Sequence, residues 1–164
     1  MAILPARHAP RYQTLLNQDI PAIELPENAG RLRVIAGDYD GHQGPARTFT
    51  PINVWDLQLR QGGATSLDVP EGHTLGLVIL RGTVLVKGEE IAREAQFVML
   101  DRTGGAVAIE ANSDASILVL SGEPLGEPVA MHGPFVMNTA DEIRQAMADH
   151  QTGRFGKIPS ASHA

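Results

Sequence analysis

His73 is the residue whose type and position first suggest chemistry in this sequence. It lies near the head of "PEGHTLGLVILRGTVLV", in which an apolar run turns at Arg81-Gly82 and then resumes, a pattern typical of a β-hairpin. Glu71 lies two residues earlier, so an imidazole and a carboxylate share one face of an extended segment and could bind a metal ion. A mononuclear iron or zinc site needs at least three converging protein ligands. The alternative is a loop histidine, at the start of a strand, that hydrogen-bonds to the backbone.

A second group of polar residues lies in "DYDGHQG". Asp38, Asp40 and His42 alternate there and could chelate a cation if the segment is extended. Asp-Gly is itself a turn signal, however, and aspartate favours turns without any metal. Farther along, Glu89-Glu90 is better explained as a solvated hairpin tip than as an acid/base pair.

Composition and charge exclude several classes of function. The 164 residues contain no cysteine, which excludes disulfides, Cys-ligated zinc and iron–sulfur clusters, and fits a reducing compartment. The formal net charge of −6 and the scattered basic residues argue against binding nucleic acid. No apolar stretch approaches the ~20 residues of a membrane span, and "MAILPARHAPRYQ" has no apolar core of signal-peptide length. We therefore expect a cytoplasmic protein without a membrane partner.

Short β patterns follow one another after Gly30, separated by turn signals. In "INVWDLQL", Trp55, Leu57 and Leu59 share one face, the alternation of a half-buried strand. The other predicted strands are similarly short and are "RLRVIAG", "TSLDVP", Leu75–Leu80, Thr83–Val86, "AQFVML", "AVAIEA" and "ASILVLSG". Eight or so strands without intervening helices exclude a βαβ sheet. They predict an all-β antiparallel barrel or sandwich, which leaves few exposed strand edges.

The two ends of the chain differ from this β region, which spans residues 31–126. Residues 1–30 contain four prolines and no sustained periodicity, so we predict an extended leader there. Residues 127–164 form a tail that contains the one predicted helix. The chain is thus divided into a leader, a barrel and a helical tail.

The predicted helix spans residues 140–150. Thr139 at the N-cap and Glu142 three residues later form a capping box, and Gly153 suits the position just after the helix. The residues that fall on one face are Ile143, Ala146, Met147 and His150. The pattern therefore predicts an amphipathic helix of about three turns.

Several stretches of the chain carry a family resemblance. Ser121–Gly156 contains "GEPLGEPV", "GPFVMNT", "EIRQA" and "GRFG", Leu4–Gln13 is "LPARHAPRYQ", and "RVIAGDYDGHQGPARTFTP" lies between them. These segments resemble the pirin family of two-domain cupin proteins, at its C-terminal domain and at the segment that joins its two domains. The resemblance covers almost the whole chain and implies a cupin-type jelly roll.

The resemblance also implies where a metal would be bound. Pirins hold iron through three histidines and a glutamate in a preceding cupin domain, which we expect to be absent from this chain. The cupin motif G-x5-H-x-H-x3,4-E-x6-G, anchored on Gly82, allows the equivalent positions here to be named. They hold Leu75 for the glutamate, Val69 and Glu71 (or Asp68 and Pro70 with the longer spacer) for two histidines, and about Ala106 for the third. At most one carboxylate remains of four ligands, so we expect no metal or other cofactor in this chain.

Our first functional hypothesis is a metal-free, non-catalytic cupin module that acts as a structural or protein-interaction domain. In pirins the terminal helix packs on the other cupin domain, so the corresponding apolar residues would here need a partner. They are Phe135, Val136, Met137, Ile143 and Met147. A homodimer or a separate cupin domain would cover this stripe.

Two alternatives stay open. The resemblance implies a pirin-type flavonol (quercetin) 2,3-dioxygenase, whose chemistry needs a redox-active metal, so the metal site would lie in a missing or partner domain. The second alternative is a barrel that binds one small apolar ligand. Its lining would be Trp55, Leu57, Leu75, Leu77 and Phe97, which would serve equally well to fill a core.

Overall fold

The structure, a computed structural model, describes residues 12–156 and contains fourteen strands and one α-helix in that range. The strands are β1 (Ala22–Glu24), β2 (Gly30–Ala36), β3 (Asp38–Tyr39), β4 (His42–Gln43), β5 (Ile52–Leu59), β6 (Ala64–Val69), β7 (Thr74–Arg81), β8 (Thr83–Val86), β9 (Glu90–Arg93), β10 (Phe97–Leu100), β11 (Gly105–Ala111), β12 (Ala115–Gly122), β13 (Ala130–His132) and β14 (Phe135–Met137). The helix is α1 (Ala140–Gln151). The predicted all-β fold with one C-terminal helix is confirmed.

The chain forms two compact units, which divide between Pro124 and Leu125. Residues 12–30 of the predicted leader belong to the larger unit, in which β1 pairs with β2. The first eleven residues of that leader lie outside the described part of the chain. No helix between residues 12 and 156 is long and apolar enough to cross a membrane.

Two antiparallel sheets build the larger unit. The order is β1-β2-β5-β12-β7-β10 in the first and β6-β11-β8-β9 in the second, so chain neighbours are often separated in space, as in a jelly roll. Both sheets contribute to one hydrophobic core, the first through residues such as Leu57 and Leu77 and the second through Leu67 and Ile109. Each such fully buried side chain stabilises the fold by about 1.5–3 kcal/mol relative to exposure.

Tight turns set the register of two hairpins. Lys87-Gly88, predicted as a turn, joins β8 to β9 with φ of 54° and 72°. Asp40-Gly41 joins β3 to β4 with φ of 49° and 76°. Positive φ at both central residues is the hairpin geometry that Asp-Gly favours, so "DYDGHQG" folds as a hairpin.

The smaller unit has its own packing. Helix α1 follows the β13–β14 hairpin and packs on it, with the Phe135 and His150 rings 6.0 Å apart. The capping box is confirmed: Thr139 Oγ1 accepts from the Glu142 N–H at 3.2 Å, and Glu142 Oε2 accepts from the Thr139 N–H at 2.8 Å. The apolar face of the helix therefore has a partner in its own unit.

This packing corrects the predicted interaction stripe. Ile143 is only 7% exposed, and the other four members, Phe135, Val136, Met137 and Met147, are half-buried. The stripe is less exposed than predicted because "AMHGPFVM" forms a hairpin on which the helix packs, and its role as an interaction surface stays a prediction. The sequence showed the amphipathic helix but not this second layer.

Candidate functional site

His73 lies in the turn just before β7 and contacts a buried hydroxyl. Its Nδ1 is 3.3 Å from Ser121 Oγ, and its backbone N–H donates to the Pro70 carbonyl. The imidazole thus bonds to a side chain, and not to the backbone as the sequence alternative supposed. Ser121 is buried on the inward face of β12, two residues beyond Val119, so the alternation of that strand was the signal that could have identified it.

The positions that match the cupin ligands come together around a small cavity. Val69, Leu75 and Ala106 line it with His73, and its volume is only about 20 Å³, roughly the space of one water molecule. Glu71 is exposed and is not part of the lining. The structure therefore does not bring the two candidate metal ligands together in this cavity.

The donor set of this cavity does not fit iron. Three of the ligand positions carry aliphatic side chains, and a mononuclear site needs at least three protein ligands. Between residues 12 and 156, no three His, Cys, Asp or Glu side chains are grouped so that they could hold a metal ion. That the domain is free of metal remains a prediction, which elemental analysis must test.

Asp101 also lines the cavity, but its carboxylate is engaged locally. Thr103 donates to Asp101 Oδ1 from its hydroxyl at 2.6 Å and from its backbone N–H at 3.4 Å. These hydrogen bonds lower the pKa of Asp101 because they stabilise the ionised form. The arrangement is a local side-chain turn at the edge of the cavity.

A larger polar cleft opens on the other side of His73. Its volume is about 500 Å³, within the range of small-molecule sites. It is lined by Asp38, Tyr39, Asp40, Asn53, Trp55, Ser66, Asp68, Pro70 and His73. Tyr39 meets Trp55 edge to face at 5.1 Å, and the buried Trp55 indole N–H has no hydrogen-bond partner in the described part of the chain. Ligand binding in this cleft stays a prediction.

The "DYDGHQG" residues adopt the hairpin geometry rather than that of a chelate. The Gly41 N–H donates to Asp38 Oδ1 at 3.3 Å, and His42 Nδ1 lies 3.0 Å from the Asp40 carbonyl. Asp38 and Asp40 reach the polar cleft, but His42 is not among its lining residues. These side chains mainly support the turn.

The five residues predicted to line the barrel interior separate into two groups. Trp55, Leu57, Leu75 and Leu77 are buried in the core, between the two sheets. Phe97 is 54% exposed and lies on the outer face of β10, because Val98 occupies the inward position. Placing Phe97 in the interior was therefore wrong.

Comparisons with known proteins identify the family of this chain. The family model for the pirin C-terminal cupin domain matches residues 54–156. "Putative quercetin 2,3-dioxygenase PA2418" from Pseudomonas aeruginosa is 57% identical over 89% of this chain and 51% of its own length. Pirin-1 from Arabidopsis thaliana is 38% identical over 90% of this chain and 52% of its length. This chain thus spans about half the length of the curated relatives it matches.

A solved structure shows the same fold. The crystal structure of quercetin 2,3-dioxygenase from Acinetobacter baumannii superposes with a TM-score of 0.86 and 44% identity. The match covers 90% of this chain and 51% of the crystallised chain. The jelly-roll assignment thus follows from a close structural match as well as from the strand pattern.

Proposed function

Because this chain belongs to the pirin family of cupin proteins, we propose that it is the metal-free cupin domain of a pirin-type quercetin 2,3-dioxygenase. The metal chemistry would come from a metal-bearing cupin domain, on the same polypeptide or on a partner. Two similar proteins bear the name quercetin 2,3-dioxygenase, and this chain corresponds to about half of each.

The observation that carries the proposal is the chemistry of the small cavity. Val69, Leu75 and Ala106 occupy the positions that hold metal ligands in the cupin motif, and they leave about 20 Å³ between them. Flavonol cleavage by oxygen needs a redox-active metal with open coordination positions. Aliphatic side chains cannot supply its ligands, so in this domain they serve the stability of the barrel.

Oxygen uptake with quercetin tests this assignment. With added Fe²⁺, Ni²⁺ or Mn²⁺, we expect the chain alone to match the control without protein, and elemental analysis to find far less than one metal per chain. Adding the half of the Pseudomonas relative that this chain does not match, in which we place the metal site, should give uptake above the rate of that half alone.

Two results would contradict the proposal. One is turnover by the chain alone that follows the protein through a final purification step. The other is one bound metal per chain that is lost on His73→Ala, since His73 is the imidazole in the small cavity. The matched control is His42→Ala, which removes an exposed histidine that does not line that cavity.

A further inference from the structure

A polar row crosses four strands of the six-stranded sheet at the end opposite to His73. Arg31 on β2 pairs with Gln58 on β5, and Gln58 pairs with Ser116 on β12. Ser116 in turn pairs with Arg81 on β7. His73 lies beside the start of β7 and the end of β12, whereas Ser116 lies at the start of β12. The row is therefore separate from the small cavity and the polar cleft that His73 lines.

A β-bulge brings Arg81 into this row. Ile117 pairs with Ile79, so an unbroken ladder would place Leu80 opposite Ser116. The register shifts at this point, and Arg81 takes that position instead. Bulges are frequent beside functional sites, where they redirect a side chain. The shift thus puts a guanidinium in the row where a regular strand would have an apolar side chain.

The row borders an open cavity of about 590 Å³, which is within the range of small-molecule sites. Three arginines line it, namely Arg31, Arg60 and Arg81, and all three are exposed. Arg60 is the residue that follows β5. We call this site the arginine cavity.

The guanidinium groups of the arginine cavity have little internal compensation. Arg31 Nε donates to the neutral Gln58 Oε1 at 3.0 Å. Among residues 12–156, the side chains of Arg60 and Arg81 have no hydrogen-bond or ion-pair partner. The three positive charges are therefore available to a ligand.

Two carboxylates also line the arginine cavity, but they offset its charge only in part. Asp114 Oδ1 accepts from the Gln61 N–H at 2.9 Å and so supports the loop after β5. Glu24 lies opposite Arg31 in the β1–β2 register, but these two described residues form no ion pair. Three arginines against two carboxylates leave the lining with a net charge of +1, in a chain whose net charge is −6. A local excess of positive charge attracts anions.

We propose that the arginine cavity binds a small anion that carries several linked phosphate groups. Guanidinium forks match phosphate oxygens in geometry and charge, and the Ser116 hydroxyl adds a neutral donor. Arg31 and Arg81 are three strand spacings apart, about 14 Å, so an anion with charges along its length meets more of the guanidinium groups than a single phosphate does. Linked phosphates also bring enough charge to offset repulsion by Glu24 and Asp114. The inference does not rest on the proposed dioxygenase role.

Isothermal titration calorimetry of the full chain with inorganic tripolyphosphate tests the site, at low ionic strength and without divalent cations. We expect one tripolyphosphate per chain, with an affinity that falls as salt is added because the guanidinium groups are exposed. Arg60→Gln/Arg81→Gln should weaken binding about tenfold or more, and Arg31→Gln should weaken it independently. The matched control is Arg93→Gln, which changes an exposed arginine on β9 of the other sheet and should bind like the wild type.

NMR of the wild type locates the bound anion without any variant. Tripolyphosphate should shift the backbone amides of Arg31, Arg60, Arg81 and Ser116 and leave that of His73 unchanged, because His73 does not line the arginine cavity. Circular dichroism on each variant verifies that the barrel remains folded.

Several outcomes would overturn the proposal. Absence of tripolyphosphate binding at low ionic strength would do so, as would an affinity that is unchanged in the double variant or reduced equally in Arg93→Gln. Citrate that binds as tightly as tripolyphosphate would show a site for carboxylates instead. Orthophosphate that binds as tightly would show that linked phosphates are not what the cavity selects.

Discussion

The inner and outer faces of the six-stranded sheet are both apolar along β7, but only the inner face is covered by the second sheet. On the inner face, Leu75 and Leu77 meet the four-stranded sheet and leave a cavity of only about 20 Å³. On the outer face, Phe97 and Met99 stay more than half exposed. Two of the four cupin ligand positions, Val69 and Leu75, thus belong to the closed core, whereas Glu71 and Ala106 are exposed.

The largest expected effect is a difference in stability between substitutions on the inner and the outer face. Leu77→Ala on the inner face should lower the free energy of unfolding by about 2–5 kcal/mol, because it leaves a cavity in a packed core. Leu80→Ala on the outer face should change it by less than about 0.5 kcal/mol. Urea unfolding, at concentrations where association does not contribute, measures both. Equal losses would mean that the outer face is as closely packed as the inner one.

Removing the cap of α1 tests how much the cap stabilises the helix in the smaller unit. Thr139→Ala removes the hydroxyl that accepts from the Glu142 N–H and should cost the helix about 1 kcal/mol. Hydrogen exchange should quicken in α1 and stay unchanged in β7, and Thr139→Ser should preserve wild-type protection. Unchanged exchange in α1 of Thr139→Ala would show that the cap contributes little to the helix.

The smallest effect is expected at Asp101, on the edge of the inner cavity. Its pKa is lowered by hydrogen bonds from Thr103, so Thr103→Val should raise it toward the ordinary value. A lowered pKa contributes stability that is present above the unfolded-state pKa and is lost as the pH falls through the folded-state pKa. Because Asp101 is exposed, unfolding should scarcely change, and an NMR titration of its carboxyl carbon is the suitable measurement. An unchanged titration midpoint of Asp101 in Thr103→Val would show that the Thr103 hydroxyl is not the cause of the lowered pKa.

Much of the fold was predictable because its signals are local. Alternation located β5, the capping box located the start of α1, and Lys87-Gly88 located a hairpin turn. Strand β9 and the β3–β4 and β13–β14 hairpins were missed because they are short and carry little apolar periodicity. The contact between Ser121 and His73 was missed since alternation along β12 indicates that the serine is buried but not which side chain it meets.

The sequence by itself determined the longer strands, the helix and its cap, the family, and the aliphatic residues at three of the cupin ligand positions. These depend on spacing along the chain, which periodicity and local hydrogen bonds reveal directly. Only the tertiary structure decided that Phe97 and Met99 lie on the outer face of the sheet and that the tail helix packs on its hairpin. The physical reason is that a period of two fixes which residues share a face, whereas the packing of a second layer decides which face is buried.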